Sequence, residues 1–351
     1  MGIIGPRFAS LWHQCCSQKY LGVIKESGRA VEVFIIISGF AIYNLMDTTP
    51  QTWCRFVTRR LFRIYPVYII SLGLGVVAFF LTTKTIGLIP FDSALLKERE
   101  FQRFFDGESF FYLHLVSHLF LINGMIPSFL LPNSNAAILP TSWSLSLEFQ
   151  FYCIAPFLFR IINRSLLSAS VLIFAVFILY RKCSPMPFFD PGSFLFQVLP
   201  LFIFGMLFGL AFSRLGKKDL IVLMSFAFFT TFFAFCFSEL MFFRKLEVLV
   251  NRYGLAVNIF LISLTLEVLF GGFSIKFFKQ LGDVSYSVYI LHYPVMIIGL
   301  WLTKNLWVGW DSLKIFIFIM IPIMLLIVLI ISPLFFRLIE VPWIAKGRAL
   351  S

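Results

Sequence analysis

Charge is scarce in this chain. Asp, Glu, Lys and Arg together make up 13% of 351 residues, histidine occurs four times, and the stretch 84–109, which mixes both signs, is read as a short amphipathic surface helix. A soluble domain with 60% hydrophobic residues, 47 phenylalanines and a mean hydropathy of +0.92 has no core large enough to hide them. The six cysteines, Cys15, Cys16, Cys54, Cys153, Cys183 and Cys236, form no Cys-x-x-Cys pair and have no histidine cluster beside them, so neither a zinc site nor a disulfide framework is expected. There is no apolar core ending in small residues near the start, so no cleavable signal peptide is read, and no internal repeat points to an inverted-repeat transporter.

What is present is a series of apolar runs near the length needed to cross a bilayer, about 20 residues. They fall near residues 3–16, 30–46, 60–83, 110–126, 145–161, 164–180, 193–213, 219–238, 254–270, 284–303 and 312–336. The first is too short to span, and the fourth, with two histidines, suits a re-entrant or interfacial segment. The expected fold is all-α: a polytopic transmembrane bundle of about 10 helices, or 11 if the fourth crosses. It forms a single membrane domain over 1–351 with no appended soluble domain. The net charge of +12 sits in short loops, where Lys and Arg set orientation and touch anionic lipid. The expected partner is therefore membrane lipid, not nucleic acid.

Ionisable groups inside apolar runs are costly, on the order of 2.5–3.5 kcal/mol each on insertion scales, and so mark candidate sites. In "TSWSLSLEFQFYCIAP", Glu148 lies one turn after Ser144 and one turn before Tyr152, with Trp143 at the segment's start. In "RFVTRRLFRIYPVYII", Arg60 and Arg63 share a helical face ahead of Tyr65, Pro66 and Tyr68. Forked guanidinium donors match phosphate oxygens, while a plain positive-inside flank with interfacial tyrosines accounts for the same pattern. Glu32 enters a span in which Ser38 and Gly39 admit close approach of another helix. His13 carries the side chain best suited to accept a proton near neutral pH. His114 and His118, four apart, read as a polar or lipid-interface pair, since no third metal ligand is near. "LGDVSYSVYILHYPV" sets Ser285, Tyr286, Ser287 and Tyr289 at helical spacing, with His292 ahead of Pro294, and Glu340 with Pro342 reads as a helix stop.

Taken in order, His13, "SGF", "RRLFRIYPVY", "WSLSLEFQFYCIAP", "LGDVSYSVYILHYPV" and "IEVPW" resemble the acyltransferase-3 family of integral-membrane acyltransferases. The resemblance implies a multi-pass protein of the bacterial inner membrane. It would move an acyl group, acetyl as the expected one, from acyl-CoA to a hydroxyl of a cell-surface or secreted carbohydrate, or of a lipid-linked saccharide. It implies His13 as the catalytic histidine, with Glu148 or Glu32 as the supporting carboxylate. Arg60 and Arg63, with Tyr65 and Tyr68, would bind the donor. Trp143, Ser144, Tyr152, Ser285, Tyr286 and His292 would line the substrate pocket. No metal and no cofactor is implied, acetyl-CoA being a co-substrate.

The family pattern has an arginine or lysine eleven positions before the histidine, where this sequence has Gly2. That departure leaves a shortened N-terminus, a differently oriented histidine or a catalytically degenerate partner protein as open readings. The rival function is a transporter or flippase for a lipid-linked sugar or small solute, which needs intramembrane polar residues but neither a proton acceptor nor a phosphate clamp.

Overall fold

The computed structural model describes residues 28–86, 94–183, 189, 193–236, 247–271, 276–304 and 316–350. Among the described residues there are helices and no strand. They are α1 (Gly28–Thr48), α2 (Trp53–Ile86), α3 (Ala94–Ser109), α4 (Phe111–Leu119), α5 (Ser142–Arg164) and α6 (Leu166–Cys183). After these come α7 (Leu195–Arg214), α8 (Lys217–Cys236), α9 (Glu247–Phe270), α10 (Lys276–Lys304), α11 (Ile321–Phe335) and α12 (Val341–Ala349). Seven stretches among the described residues are long and apolar enough to cross a membrane: α1, α2, α5, α7, α9, α10 and the run Phe318–Ala349. The protein is a multi-pass membrane protein with the expected all-helical build.

The fourth apolar run resolves as expected for a segment that does not cross. Its helix α4 has nine residues, about 13 Å of rise against roughly 30 Å of hydrocarbon. The chain then turns through Asn123–Met125 and reaches α5 by an irregular stretch. The sequence places the last helix's end near residue 336, but the helical path continues to Ala349 through a wide turn at Phe336–Glu340. Pro342 does not stop it, because it falls in the first turn of α12, where its missing N–H is not needed.

The contacts divide the chain into two compact units. The first comprises 1–50, 159–174 and 199–275; in it α8 packs on α9, α9 packs on α1, and α1 and α7 approach at their glycines. A Cβ added to Gly39 would lie 2.2 Å from the Phe202 carbonyl oxygen, and one added to Gly205 would lie 2.1 Å from that of Ile36. The small residues read in "SGF" thus bring two backbones into contact, which no larger side chain would permit. Tyr43 is fully buried and donates to Asn163 Oδ1 at 2.8 Å. Thr231 of α8 donates to Asn258 Oδ1 of α9 at 2.6 Å, a polar tie between two apolar helices.

The second unit comprises 51–158, 175–198 and 276–351. Here α2 packs on α10 and on α12. In the same unit Arg103 of α3 is buried, donates to the Tyr293 hydroxyl at 2.5 Å and pairs with Glu100.

Candidate functional site

The site grows from the first turns of α5, in the second unit. Ser142, Ser144, Ser146, Glu148, Gln150 and Tyr152 alternate with apolar residues, a spacing that sends polar groups round every side of a helix. Such a helix is stable in a membrane only if protein surrounds it, and all six of these residues are buried. Each serine finds a partner. Asn123 Nδ2 donates to Ser142 Oγ at 3.1 Å, Ser144 Oγ donates to the Tyr289 hydroxyl at 3.0 Å, and Ser146 Oγ donates to the Leu121 carbonyl at 2.7 Å. The amide of Gln150 bridges the start of α7, donating to the Ser193 carbonyl at 3.3 Å and accepting from the Leu195 N–H at 3.0 Å.

Leu121 has φ of 57°, a left-handed conformation that leucine rarely adopts. It is held by its own N–H, which donates to the His118 carbonyl at 3.0 Å, and by Ser146, which donates to its carbonyl. The polar alternation of α5 and this strained turn fix each other.

Glu148 and Tyr152 lie one turn apart on the face of α5 that meets α2. The glutamate is 5% exposed, and the Tyr152 hydroxyl is hydrogen-bonded to it. The Arg60 guanidinium lies 5.6 Å from the ring centroid of Tyr152 and 5.6 Å from that of Phe56, a cation held between two aromatic faces. Arg60 interacts electrostatically with Glu148 and with Arg63. The negative carboxylate and the positive guanidinium offset each other's burial in a span that tolerates neither alone.

The first half of α10 completes the cluster. Tyr286 donates to the Ile64 carbonyl of α2 at 2.6 Å and sits within electrostatic range of Glu148, Tyr152, Tyr68 and Glu340. Ser287, the next residue, is fully buried and donates to the Glu340 carboxylate, which is itself 1% exposed and interacts with Arg63. The segments around Arg60, Glu148, Tyr286 and Glu340 therefore meet in one polar cluster.

Among the sequence candidates, Arg60, Arg63, Glu148, Tyr152 and Tyr286 are gathered here. Ser144 lies on α5 and binds Tyr289, and Trp143 is half-buried beside it. Tyr65 and Tyr68 put their hydroxyls elsewhere: they donate to the Leu119 and His118 carbonyls at 2.7 Å each, at the end of α4. Ser285 is exposed and donates back to the Gly282 carbonyl at 2.7 Å. His292 is also exposed; its Nδ1 meets the Tyr289 carbonyl at 2.5 Å, so that nitrogen carries the hydrogen. Glu32 belongs to the first unit, half-buried in the first turns of α1. His13 lies outside the described residues.

The structure differs from the sequence reading at two places. Glu340 is not a helix stop but a buried acceptor inside the cluster. His114 and His118 are not an interfacial pair; both are fully buried. His118 Nδ1 meets the His114 carbonyl at 2.8 Å, and burial lowers the His118 imidazole to about 4 and lowers His114 as well. Gln150 is the group that the sequence reading leaves out; the strict polar alternation of "SLSLEFQFY" is the signal that points to it. No group of three or more His, Cys, Asp or Glu able to hold a metal occurs among the described residues.

The profile of the Acyltransferase domain family, acyltransferase-3, matches residues 27–335, and the chain belongs to that family. One similar curated protein is the acyltransferase MdmB of Streptomyces mycarofaciens, 31% identical over 137 residues. That stretch covers 38% of this chain and 29% of that relative. No solved structure matches the chain significantly.

Proposed function

We propose that the protein is a membrane-bound acyltransferase of the bacterial inner membrane, moving an acetyl group from acetyl-CoA to a hydroxyl of a cell-surface or secreted carbohydrate. The observation that carries this reading is the pairing of Arg60 with Glu148 and Tyr152 inside a span, in a chain of the acyltransferase-3 family. A half-buried cation beside a buried carboxylate is costly as mere scaffold, and groups of this kind mark polar substrate sites in membranes.

The chemistry sets the roles. A sugar hydroxyl oxygen attacks the thioester carbonyl, the C–S bond breaks, and the hydroxyl's proton passes through a base to the departing thiolate of CoA. His13 is given the base role, the family's histidine position. Arg60 and Arg63 are given the donor's phosphates, for which forked guanidinium groups are suited. Glu148 is given the task of holding Arg60 and Tyr152 in place. The tyrosine hydroxyls of Tyr152 and Tyr286 supply donors to the polar cluster.

Membranes containing the protein, supplied with labelled acetyl-CoA and crude envelope carbohydrate, test the reading. Label is expected in carbohydrate, and its transfer is expected to vanish in His13→Ala. Carbohydrate that stays unlabelled, together with solute uptake that persists in His13→Ala, overturns it in favour of transport.

A further inference from the structure

A second feature of the same unit lies on the opposite side of α2 from Arg60 and Arg63. Leu61, Phe62, Tyr65 and Pro66 face it from α2, Leu119, Phe120 and Leu121 from the end of α4 and the turn after it, Phe149 from α5 and Trp343 from α12. Together they enclose an almost wholly apolar cavity of 320 Å³, within the lower range of small-molecule sites. Its walls reach the outside of the bundle: Phe120 is 66% exposed and Trp343 40% exposed, both on a protein whose outer surface meets hydrocarbon.

The rim has the opposite character. Gly347 of α12 packs so close to Phe62 that an added Cβ would lie 2.6 Å from the Phe62 Cβ, and this sets the basic residues of α12 beside the cavity. Lys346 holds its ammonium 4.7 Å from the ring centroid of Trp343, a cavity wall. Lys346 and Arg348 are both exposed. An apolar slot open to lipid with exposed cations at its end has the complementarity of an anionic amphiphile: one hydrocarbon chain inside, a phosphate at the rim.

We propose that this cavity binds one chain of an anionic glycerophospholipid of the surrounding bilayer, with its phosphate held by Lys346 over Trp343. The bound chain fills the space between α2, the end of α4 and α12, and so braces the helix that carries Arg60. The site does not depend on the acyltransferase reading, and its test does not use activity.

The test is native mass spectrometry of the purified, delipidated full chain titrated with phosphatidylglycerol, phosphatidylcholine or a polyisoprenyl phosphate, with melting temperature as a second readout. One phosphatidylglycerol is expected to be retained per chain and to raise the melting temperature, with phosphatidylcholine clearly weaker. Lys346→Glu, an exposed change that leaves the fold alone, is expected to lower retention of phosphatidylglycerol by about fivefold or more. Leu119→Trp, which fills the cavity, is expected to abolish retention of either phospholipid. Equal retention of the two phospholipids, or retention unchanged in Lys346→Glu, overturns the proposal. Tighter binding of the polyisoprenyl phosphate than of phosphatidylglycerol overturns the assignment to bilayer lipid.

Discussion

The Tyr286 hydroxyl donates to the Ile64 carbonyl at 2.6 Å, tying α10 to the helix that bears Arg60 and Arg63. Residues 222 positions apart are thereby locked at the polar cluster. Tyr286→Phe removes one hydrogen bond and leaves the ring in place. It is expected to cost about 1 kcal/mol of stability, read as a lower melting temperature in detergent, with a larger proportional loss of acyl transfer than of folded protein. Transfer that falls only in step with the folded fraction would reduce Tyr286 to scaffold.

Arg60 lies between the rings of Phe56 and Tyr152 and interacts with Glu148. A lysine keeps the charge but loses the planar fork that stacks on aromatic faces and matches phosphate oxygens. Arg60→Lys is therefore expected to raise KM for acetyl-CoA about tenfold while kcat changes less. A KM unchanged from the parent protein would remove the phosphate role from Arg60.

The α1–α7 crossing is a matter of backbone contact. A Cβ on Gly205 would lie 2.1 Å from the Ile36 carbonyl oxygen, a distance no side-chain rotamer can relieve. Gly205→Val is expected to force the helices apart and to destabilise the first unit by about 1–3 kcal/mol or more, as overpacked cores do. Melting temperature and yield of folded protein in detergent measure it, and a variant as stable as the parent would contradict the close crossing.

His118 gives a pH dependence with a definite sign. Burial lowers its imidazole to about 4, against an ordinary value of 6.5, so the unfolded chain binds the extra proton first as pH falls. The stability that this neutral, buried ring represents is complete above pH 6.5 and is lost as pH drops through 4. His118→Phe, which has no proton to gain, is expected to flatten that acid limb in a melting series from pH 8 to pH 4, even if it lowers stability throughout. An acid limb as steep in the variant as in the parent would place its origin elsewhere.

The sequence made the membrane class legible because apolar run length alone demands it, and it made the Gly39 approach legible because small residues have few other uses within a span. Arg60, Glu148 and Tyr286 stood out because polar groups in hydrocarbon are conspicuous. The engagement of Tyr65 and Tyr68 with α4 was hidden, since a tyrosine beside an arginine pair reads equally as ligand or as glue. Glu340 was hidden because Glu before Val-Pro looks like a helix end, and only the wide turn at Phe336–Glu340 carries the helix onward. The burial of His114 and His118 depends on how the end of α4 meets α2, a long-range matter that local spacing does not encode.

Glu148 is a carboxylate 5% exposed within a span and hydrogen-bonded to Tyr152, and the proposed site depends on it. The most direct test is the steady-state transfer of labelled acetyl from acetyl-CoA to envelope carbohydrate by Glu148→Gln in proteoliposomes, matched to the parent protein in amount and melting temperature. The account predicts a loss of about a hundredfold or more in rate, with a raised KM for acetyl-CoA. Transfer at the parent rate with the parent KM would contradict it.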